Sequence, residues 1–377
     1  MRISYRANPL GYFTTDQGLD YYYANDYVRS VKAKYLLAHK DSIDAVLLGG
    51  SKAGAVSAEQ LSELTGLNYY NMYIISGNFY DYLAYTKFLI SKIGVKEITL
   101  HISSFETRDY DRNDAGSNMK TPAVVEGGPV DQAIEYLGYL MTDLTTVVNA
   151  YRYRAGKDPE NADVLHTGAK TRKHPTLRFQ SDPDAYVEDT VLLDMNKRLK
   201  RLFNMKYASK QEKVRRQNLD AMREIKRLCD ENDVTLKMII GPSFLTEHFN
   251  YECPSYYSYL EELVTIAGEA WDFSDFNSVN LNPYNFINYS HYSRGVAEHM
   301  LNIVYGLETT TDFGHIVNAS NIRTYMTQRQ EQFEALRRTF KETGTIPLNS
   351  MQDPSYFEWP SDPNWNLEGM EDWLDED

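Results

Sequence analysis

Short apolar runs that end on glycine, each followed by a stretch with helical spacing, most limit the folds open to this chain. Ile43-Asp44-Ala45-Val46-Leu47-Leu48 runs straight into Gly49-Gly50. Such a run suits a strand buried on both faces and is too short for a helix. Ser57 then stands as an N-cap with Gln60 three residues on, a capping-box pair, and Gly66 supplies a stop. The order recurs with a strand around Tyr69–Ile75, a helix from about Phe79 to Ile93 ended by Gly94, and a strand over Glu97–Ser103. Val234–Ile240 is a fourth strand, stopped by Gly241-Pro242. A helix near 256–268 precedes a short strand at Ala270–Phe273, and Ser293 opens a helix running to Tyr305. Residues 104–128 and 157–186 read as long loops, with helical sequence at about 130–154 between them. Strand, helix, strand repeated this way predicts an α/β fold, a three-layer sandwich with a mostly parallel sheet. Sites in such sheets lie outside the carboxyl ends of the strands.

The chain has 377 residues, with 39 Lys+Arg against 53 Asp+Glu and a net charge of −14. That balance excludes nonspecific nucleic-acid binding, which needs clustered positive charge. Cys229 and Cys253 cannot build a disulfide scaffold or a zinc site, and read as two buried thiols, with one bridge as the alternative. No metal constellation stands out among the eight histidines, and no cofactor is implied. No stretch approaches the ~18–20 apolar residues of a membrane span. Met1-Arg2-Ile3-Ser4-Tyr5 does not look like a signal peptide. The chain therefore reads as either a cytoplasmic protein or an ectodomain whose anchor lies outside it.

The charge is unevenly spread. Residues 345–377 hold nine acids, no Lys or Arg, four prolines, and Trp359, Trp365 and Trp373. This acidic tail reads either as disordered or, from its tryptophans, as a segment that docks. Residues 197–227 are the opposite, twelve Lys/Arg against Glu212, Asp220 and Glu224. Val214, Ala221, Met222, Ile225, Leu228 and Cys229 recur near helical period, which predicts an amphipathic helix with a basic outer face. That face is either solvated surface or a platform for an anionic polymer. The expected division is one domain over 1–344, with a helical insertion at about 104–232, and a tail over 345–377.

Two segments could carry chemistry. Gly49-Gly50-Ser51-Lys52-Ala53-Gly54 follows the first strand directly, so small residues turn the chain and leave Ser51 exposed at the strand's end. A serine there is a nucleophile if a histidine takes its proton, and otherwise part of a tight turn or phosphate cradle. The segment matches neither the Walker loop nor the GxSxG elbow. The second is Phe286-Ile287-Asn288-Tyr289-Ser290-His291-Tyr292-Ser293, in a loop before a helix, where Asn288 can orient the His291 imidazole.

Taken in order, these blocks resemble the SGNH/GDSL hydrolase superfamily. The residues that carry the resemblance are Val46–Ser51, Tyr70-Asn71-Met72-Tyr73-Ile74-Ile75-Ser76-Gly77, Asp272-Phe273-Ser274 and Asn288–Tyr292. Asn8-Pro9-Leu10-Gly11-Tyr12 and Asn318–Tyr325 look like its envelope branch, the proteins similar to the D-alanyl transfer protein of lipoteichoic acid synthesis and the alginate O-acetylation proteins. The likeness spans roughly residues 8–330, and order and spacing carry it, since each block is short. It implies an SGNH, flavodoxin-like sandwich with Ser51 as nucleophile and His291 as general base. The Ser51 N–H and Gly77 would form the oxyanion hole, with Asn78 beside Gly77. The third-block asparagine has no match, Ser103, Ser104 and Glu106 standing after the third strand instead. Lys52, Tyr289 and Tyr292 would touch substrate.

The family's last block reads Asp-x-x-His, and this chain has Asn288-x-x-His291. An amide orients an imidazole but does not stabilise imidazolium as a carboxylate does. The acid could instead come from Glu106, Asp272 or Asp275, or catalysis could be lost. Two functions follow. One is a serine O-acyltransferase or esterase acting on a cell-envelope glycan or anionic polymer through acyl-Ser51, with a membrane-bound acyltransferase as partner. The other is a catalytically impaired binding or scaffold module in the same setting. A cytosolic small-molecule esterase is a third. The resemblance places the protein outside the cytoplasm, anchored to a membrane.

Overall fold

The architecture comes from a computed structural model that describes residues 5, 12–13, 28–108, 110, 120–148, 169–170, 173–203, 211–309 and 312–359. Five strands, β1 Ala45–Gly49, β2 Tyr69–Tyr73, β3 Glu97–Ile102, β4 Thr235–Ile240 and β5 Glu269–Asp272, pair in parallel in the order β2-β1-β3-β4-β5. β6 Phe286–Asn288 and β7 His291–Tyr292 form a separate antiparallel hairpin. β8 His315–Asn318 closes the main sheet antiparallel to β5. The expected mostly parallel α/β fold is therefore present, with β8 as the exception. β1, β2 and β3 are buried along their whole length, as the apolar run of β1 requires, and β2 and β3 bury Asn71, Glu97, Thr99 and His101 as well.

Right-handed crossovers from β1 to β2 and from β2 to β3 run in opposite directions across the sheet, which puts their helices on opposite faces. Helix α1 Val28–Ala38 leads into β1, and α2 Ala58–Thr65 joins β1 to β2 and packs with α3 Arg294–Val304. Phe79–Phe88, between β2 and β3, packs with Glu212–Glu231, which in turn packs with Pro254–Ala267. The chain reverses direction beside β1, so the connections that leave the carboxyl ends of the paired strands β1 and β3 run opposite ways and open a crevice.

Several expectations need correction. Within 157–186, read as loop, Lys173–Ser181 and Pro183–Tyr186 are helical, and a wide turn continues over Val187–Val191. Asp182 caps the second of these and Pro183 opens it, a start signal the sequence did contain. Residues 157–168 lie outside the described residues. The 104–128 segment includes a 3₁₀ turn, Ser104–Thr107, and a short helix, Ala123–Glu126. The helical sequence expected over 130–154 is helical over Pro129–Leu140 and again over 144–148 after a break at 141–143, and residues 149–154 lie outside the described residues. Of the two readings of the tail, docking holds for its first part: residues 345–359 pack on the body, and Trp359 is buried. Trp365 and Trp373 lie outside the described residues. Cys229 and Cys253 are both free and buried. Among the described residues no helix is long and apolar enough to cross a membrane.

Of the basic stretch 197–227 only the part from Glu212 lies on the amphipathic helix, Glu212–Glu231: Lys197, Arg198, Lys200 and Arg201 lie on the short helical turns Met195–Leu199 and Lys200–Phe203, and residues 204–210 lie outside the described residues. The charge of that helix is largely spent on pairing. Arg216 meets Glu212, Arg223 meets Asp220 and Glu262, Lys226 meets Asp230, and Arg227 meets Glu224 and Glu231. Arg215 is buried, donating to Ser255 Oγ at 2.7 Å. The outer face is thus closer to a solvated lattice of exposed pairs, each worth little, than to a polycation.

A second element escaped the sequence reading, the helix Ile322–Thr343. Its inward stripe is Ile322, Tyr325, Met326, Arg329, Phe333 and Leu336, and the arginine at its centre disguises an otherwise helical period. Arg329 is fully buried, donating to Glu252 Oε1 at 2.6 Å and Ser274 Oγ at 2.8 Å, with Asp272 Oδ2 3.5 Å away. Removing the guanidinium leaves two buried carboxylates without their counter-ion. Arg329→Ala should therefore lower stability by about 3–5 kcal/mol in urea denaturation; a loss under 1 kcal/mol would contradict this role.

Candidate active site

β1 delivers the chain to a turn that small residues make possible. Gly50 lies over a buried pair of side chains: a Cβ there would stand 3.2 Å from Glu106 Oε1 and 3.3 Å from Tyr82 OH. Ser51 opens the 3₁₀ turn Ser51–Ala55. Asn71, buried in β2, holds that turn from beneath, donating through Nδ2 to Ala53 O and Val56 O at 2.8 Å each. Its Oδ1 accepts from Tyr73 N at 2.9 Å, so the amide orientation is fixed.

The segment read as a loop before the helix is the β6–β7 hairpin, in which Asn288 faces His291 across the ladder. Asn288 Oδ1 accepts from Ser290 N and His291 N, both at 3.0 Å, and lies 3.0 Å from His291 Nδ1. Two backbone N–H groups can only donate, so the oxygen and not the amide nitrogen faces the ring. His291 Nδ1 therefore carries the proton, and Nε2 is the acceptor. Ser51 Oγ lies 2.8 Å from that Nε2. Two segments 240 residues apart thus meet in a Ser–His–Asn relay with the tautomer a general base needs.

The carboxylates proposed as substitutes are occupied elsewhere. Glu106 accepts from Ser103 N at 2.9 Å, Ser103 Oγ at 2.7 Å and Tyr82 OH at 2.8 Å, and burial raises its pKa. Asp272 faces Arg329, and burial raises its pKa as well. Asp275 accepts from Asn277 Nδ2 at 2.5 Å and pairs with His315 Nε2 at 3.4 Å. The oxygen at His291 Nδ1 belongs to Asn288.

A cavity of about 480 Å³ opens in front of the relay. Gly50, Ser51, Ser76, Gly77, Ser103 and Glu106, from the ends of the first three strands, form one side. Asp189, Thr190 and Leu193 from the insertion form the other, with Tyr289 and Phe105 contributing aromatic surface. Nothing near 189 in the sequence marked it as wall, because its place is set by packing across the chain. Tyr186 OH donates to Ile287 O at 2.8 Å, and the Arg198 guanidinium lies 4.8 Å from the Tyr289 ring centre.

The expected oxyanion and substrate residues divide. Ser51 N–H sits at the N-terminus of its turn, beside the cavity. Gly77 lines the cavity, but its N–H donates to Ile74 O at 2.9 Å, closing a turn in which Ser76 takes φ +52°. Asn78 does not line the cavity: it is a helix cap, its Oδ1 accepting from Asp81 N at 3.1 Å and its backbone N–H donating to Asp81 Oδ2. Tyr289 is on the cavity wall, and Lys52 contributes to it while its Nζ donates to Ser243 Oγ. Burial lowers the Lys52 pKa. Tyr292 does not face substrate: it is fully buried, its OH 2.9 Å from His101 Nε2. Ser104 is buried in the turn after β3. Among the described residues no group of three or more His, Cys, Asp or Glu side chains could hold a metal ion.

Compared with models of known protein families and with curated proteins, the chain gives no match.

Two predictions follow from these contacts. Burial, with Lys52 nearby, pushes His101 from 6.5 down to about 3. Between those values the unfolded chain takes up a proton that the folded protein refuses, so this group makes stability rise with pH there. His101→Gln should remove about 1.4 kcal/mol per pH unit from the stability slope around pH 5, and an unchanged slope would refute it. Asn288→Asp keeps the acceptor and adds charge beside the imidazolium. It should raise ester turnover tenfold or more, ~1.4 kcal/mol or above, in a steady-state assay with p-nitrophenyl acetate.

Proposed function

We propose that the protein is a serine acyl-ester enzyme of SGNH type, an O-acyltransferase or esterase acting on a hydroxyl-bearing cell-envelope glycan. The observation that carries this reading is the 2.8 Å contact between Ser51 Oγ and His291 Nε2, with the tautomer fixed from behind by Asn288. In the first step Ser51 Oγ attacks an acyl carbonyl and its proton passes to Nε2. The tetrahedral oxyanion lies near the Ser51 turn. Collapse breaks the ester bond, and Nε2–H protonates the departing alcohol oxygen, leaving acyl-Ser51. A second hydroxyl then gives its proton to Nε2 as its oxygen attacks the acyl carbon, and collapse breaks the acyl–Oγ bond while Nε2–H returns the proton to Ser51 Oγ. That hydroxyl belongs to water in an esterase and to a sugar in a transferase.

Asn288 tempers the rate without abolishing the mechanism. Replacing the aspartate of a serine protease triad by asparagine costs ~10⁴ in turnover, chiefly because the wrong tautomer forms. Here the backbone donors at Ser290 and His291 fix the right one, so only the charge stabilisation of imidazolium is missing. The aromatic wall at Tyr289 and Phe105 suits sugar rings. The envelope setting, the polymer and a membrane-bound acyl donor as partner follow the sequence resemblance. The paired charges of Glu212–Glu231 make the cavity, rather than that helix, the favoured polymer contact.

One observation favours a second reading, a binding module with little turnover: the Gly77 N–H is bonded to Ile74 O, which leaves the oxyanion hole short of a donor. A serine-directed fluorophosphonate separates the two. Labelling should map to Ser51, vanish in Ser51→Ala and fall at least 100-fold in His291→Ala. No labelling while a control esterase reacts would favour the binding module.

A further inference from the structure

We infer that residues 345–359 are a strap that positions the catalytic hairpin, and that Trp359 and Asn285 are the positioning residues through which it acts. The inference rests on the acyl-ester reading for its kinetic consequence, though not for its geometry. The segment before β6 is rich in buried asparagines, and two of them bond to the strap. Asn282 Nδ2 donates to Ser350 O at 3.0 Å and Ser355 Oγ at 3.1 Å. Asn285 Nδ2 donates to Ser355 O at 2.6 Å, and its Oδ1 accepts from Phe357 N at 3.0 Å. Asn285 O in turn accepts from Ser293 N at 2.9 Å, which ties both ends of the hairpin to one residue.

Trp359 ends the strap. Its Nε1 donates to Tyr284 O at 3.0 Å, and its ring stacks on Phe179 with centroids 4.0 Å apart and planes at 11°. Tyr186 meets the same indole edge-on at 87° and donates to Ile287 O at 2.8 Å, one residue before Asn288. The indole thus joins the insertion to the strand that presents Asn288. On the far side the strap runs against Gly295, where a Cβ would stand 1.9 Å from Glu358 O. Only glycine allows that approach at the start of the helix that follows His291. None of these residues touches the reacting atoms. A segment that merely covered the core would bond to whatever surface it crossed, whereas this one bonds to the segment that enters the histidine hairpin and packs against the helix that leaves it.

The test uses the full chain with Trp359→Ala and Trp359→Phe, p-nitrophenyl acetate as substrate, and kcat corrected for the folded fraction. Trp359→Ala should lower kcat at least tenfold with KM within twofold, and Trp359→Phe should recover to within threefold of wild type. A purely structural role would lower the folded fraction and leave corrected kcat unchanged, which would overturn the inference. Should Trp359→Ala not fold, Asn285→Asp keeps the acceptor for Phe357 N, loses the donor to Ser355 O and should show the same loss of kcat; unchanged kcat would overturn it. If wild-type Ser51 takes no fluorophosphonate, the acyl-ester reading fails separately. Hydrogen exchange over 286–293 then decides the strap: at least tenfold faster exchange in either variant supports it, and unchanged exchange overturns it.

Discussion

A single side-chain oxygen organises the site. Asn288 Oδ1 gathers the N–H groups of Ser290 and His291 and the imidazole Nδ1. The two backbone donors close the turn between β6 and β7, so the atom that shapes the hairpin also chooses the tautomer of the histidine it carries. A carboxylate in the same place would accept the same bonds and add charge. In the proposed reaction the difference between asparagine and aspartate here therefore falls on the imidazolium, leaving the hairpin's resting geometry intact.

The rest of the structure brings Ser51 to that histidine and keeps it there. The sheet order opens a crevice beside β1, and the buried Asn71 in β2 ties down the turn that presents the serine. The groups beneath the turn are polar and buried, and they are satisfied largely by one another. Ser103 and Tyr82 both donate to Glu106, and Lys52 donates to Ser243. Such a network holds its shape because leaving any buried member unpaired is costly. On the opposite side the insertion and the strap enclose the histidine hairpin, so each half of the relay rests on a separate support.

What the sequence made legible was local. β1 could be read because a strand buried on both faces is a continuous apolar run, and Gly49-Gly50 marks where it stops. The Ser57 cap was legible too, although only half of the expected capping box forms: Gln60 N bonds to Ser57 Oγ, while the Gln60 side chain reaches Asn302. Asn78 shows how one residue answers to two signals. Its place beside Gly77 suggested the oxyanion hole, yet Asn78 and Asp81 also make a helix capping box, and that nearer interaction engages the Asn78 backbone N–H and keeps the residue off the cavity wall. The insertion wall was not legible, and of the strap only the chance of docking was, from its tryptophans. The Tyr186–Ile287 and Asn285–Phe357 bonds join residues 101 and 72 positions apart, so where the segment docks had no local sign.

The account depends on the protonation of one ring, which nitrogen NMR of the ¹⁵N-labelled full chain reads directly. Near pH 8, His291 should show a pyrrole-like Nδ1 bearing the proton and a pyridine-like Nε2 facing Ser51. In Asn288→Ala that preference should weaken. A wild-type ring with its proton on Nε2 would contradict the account, because a nitrogen that already holds a proton cannot take the one from Ser51.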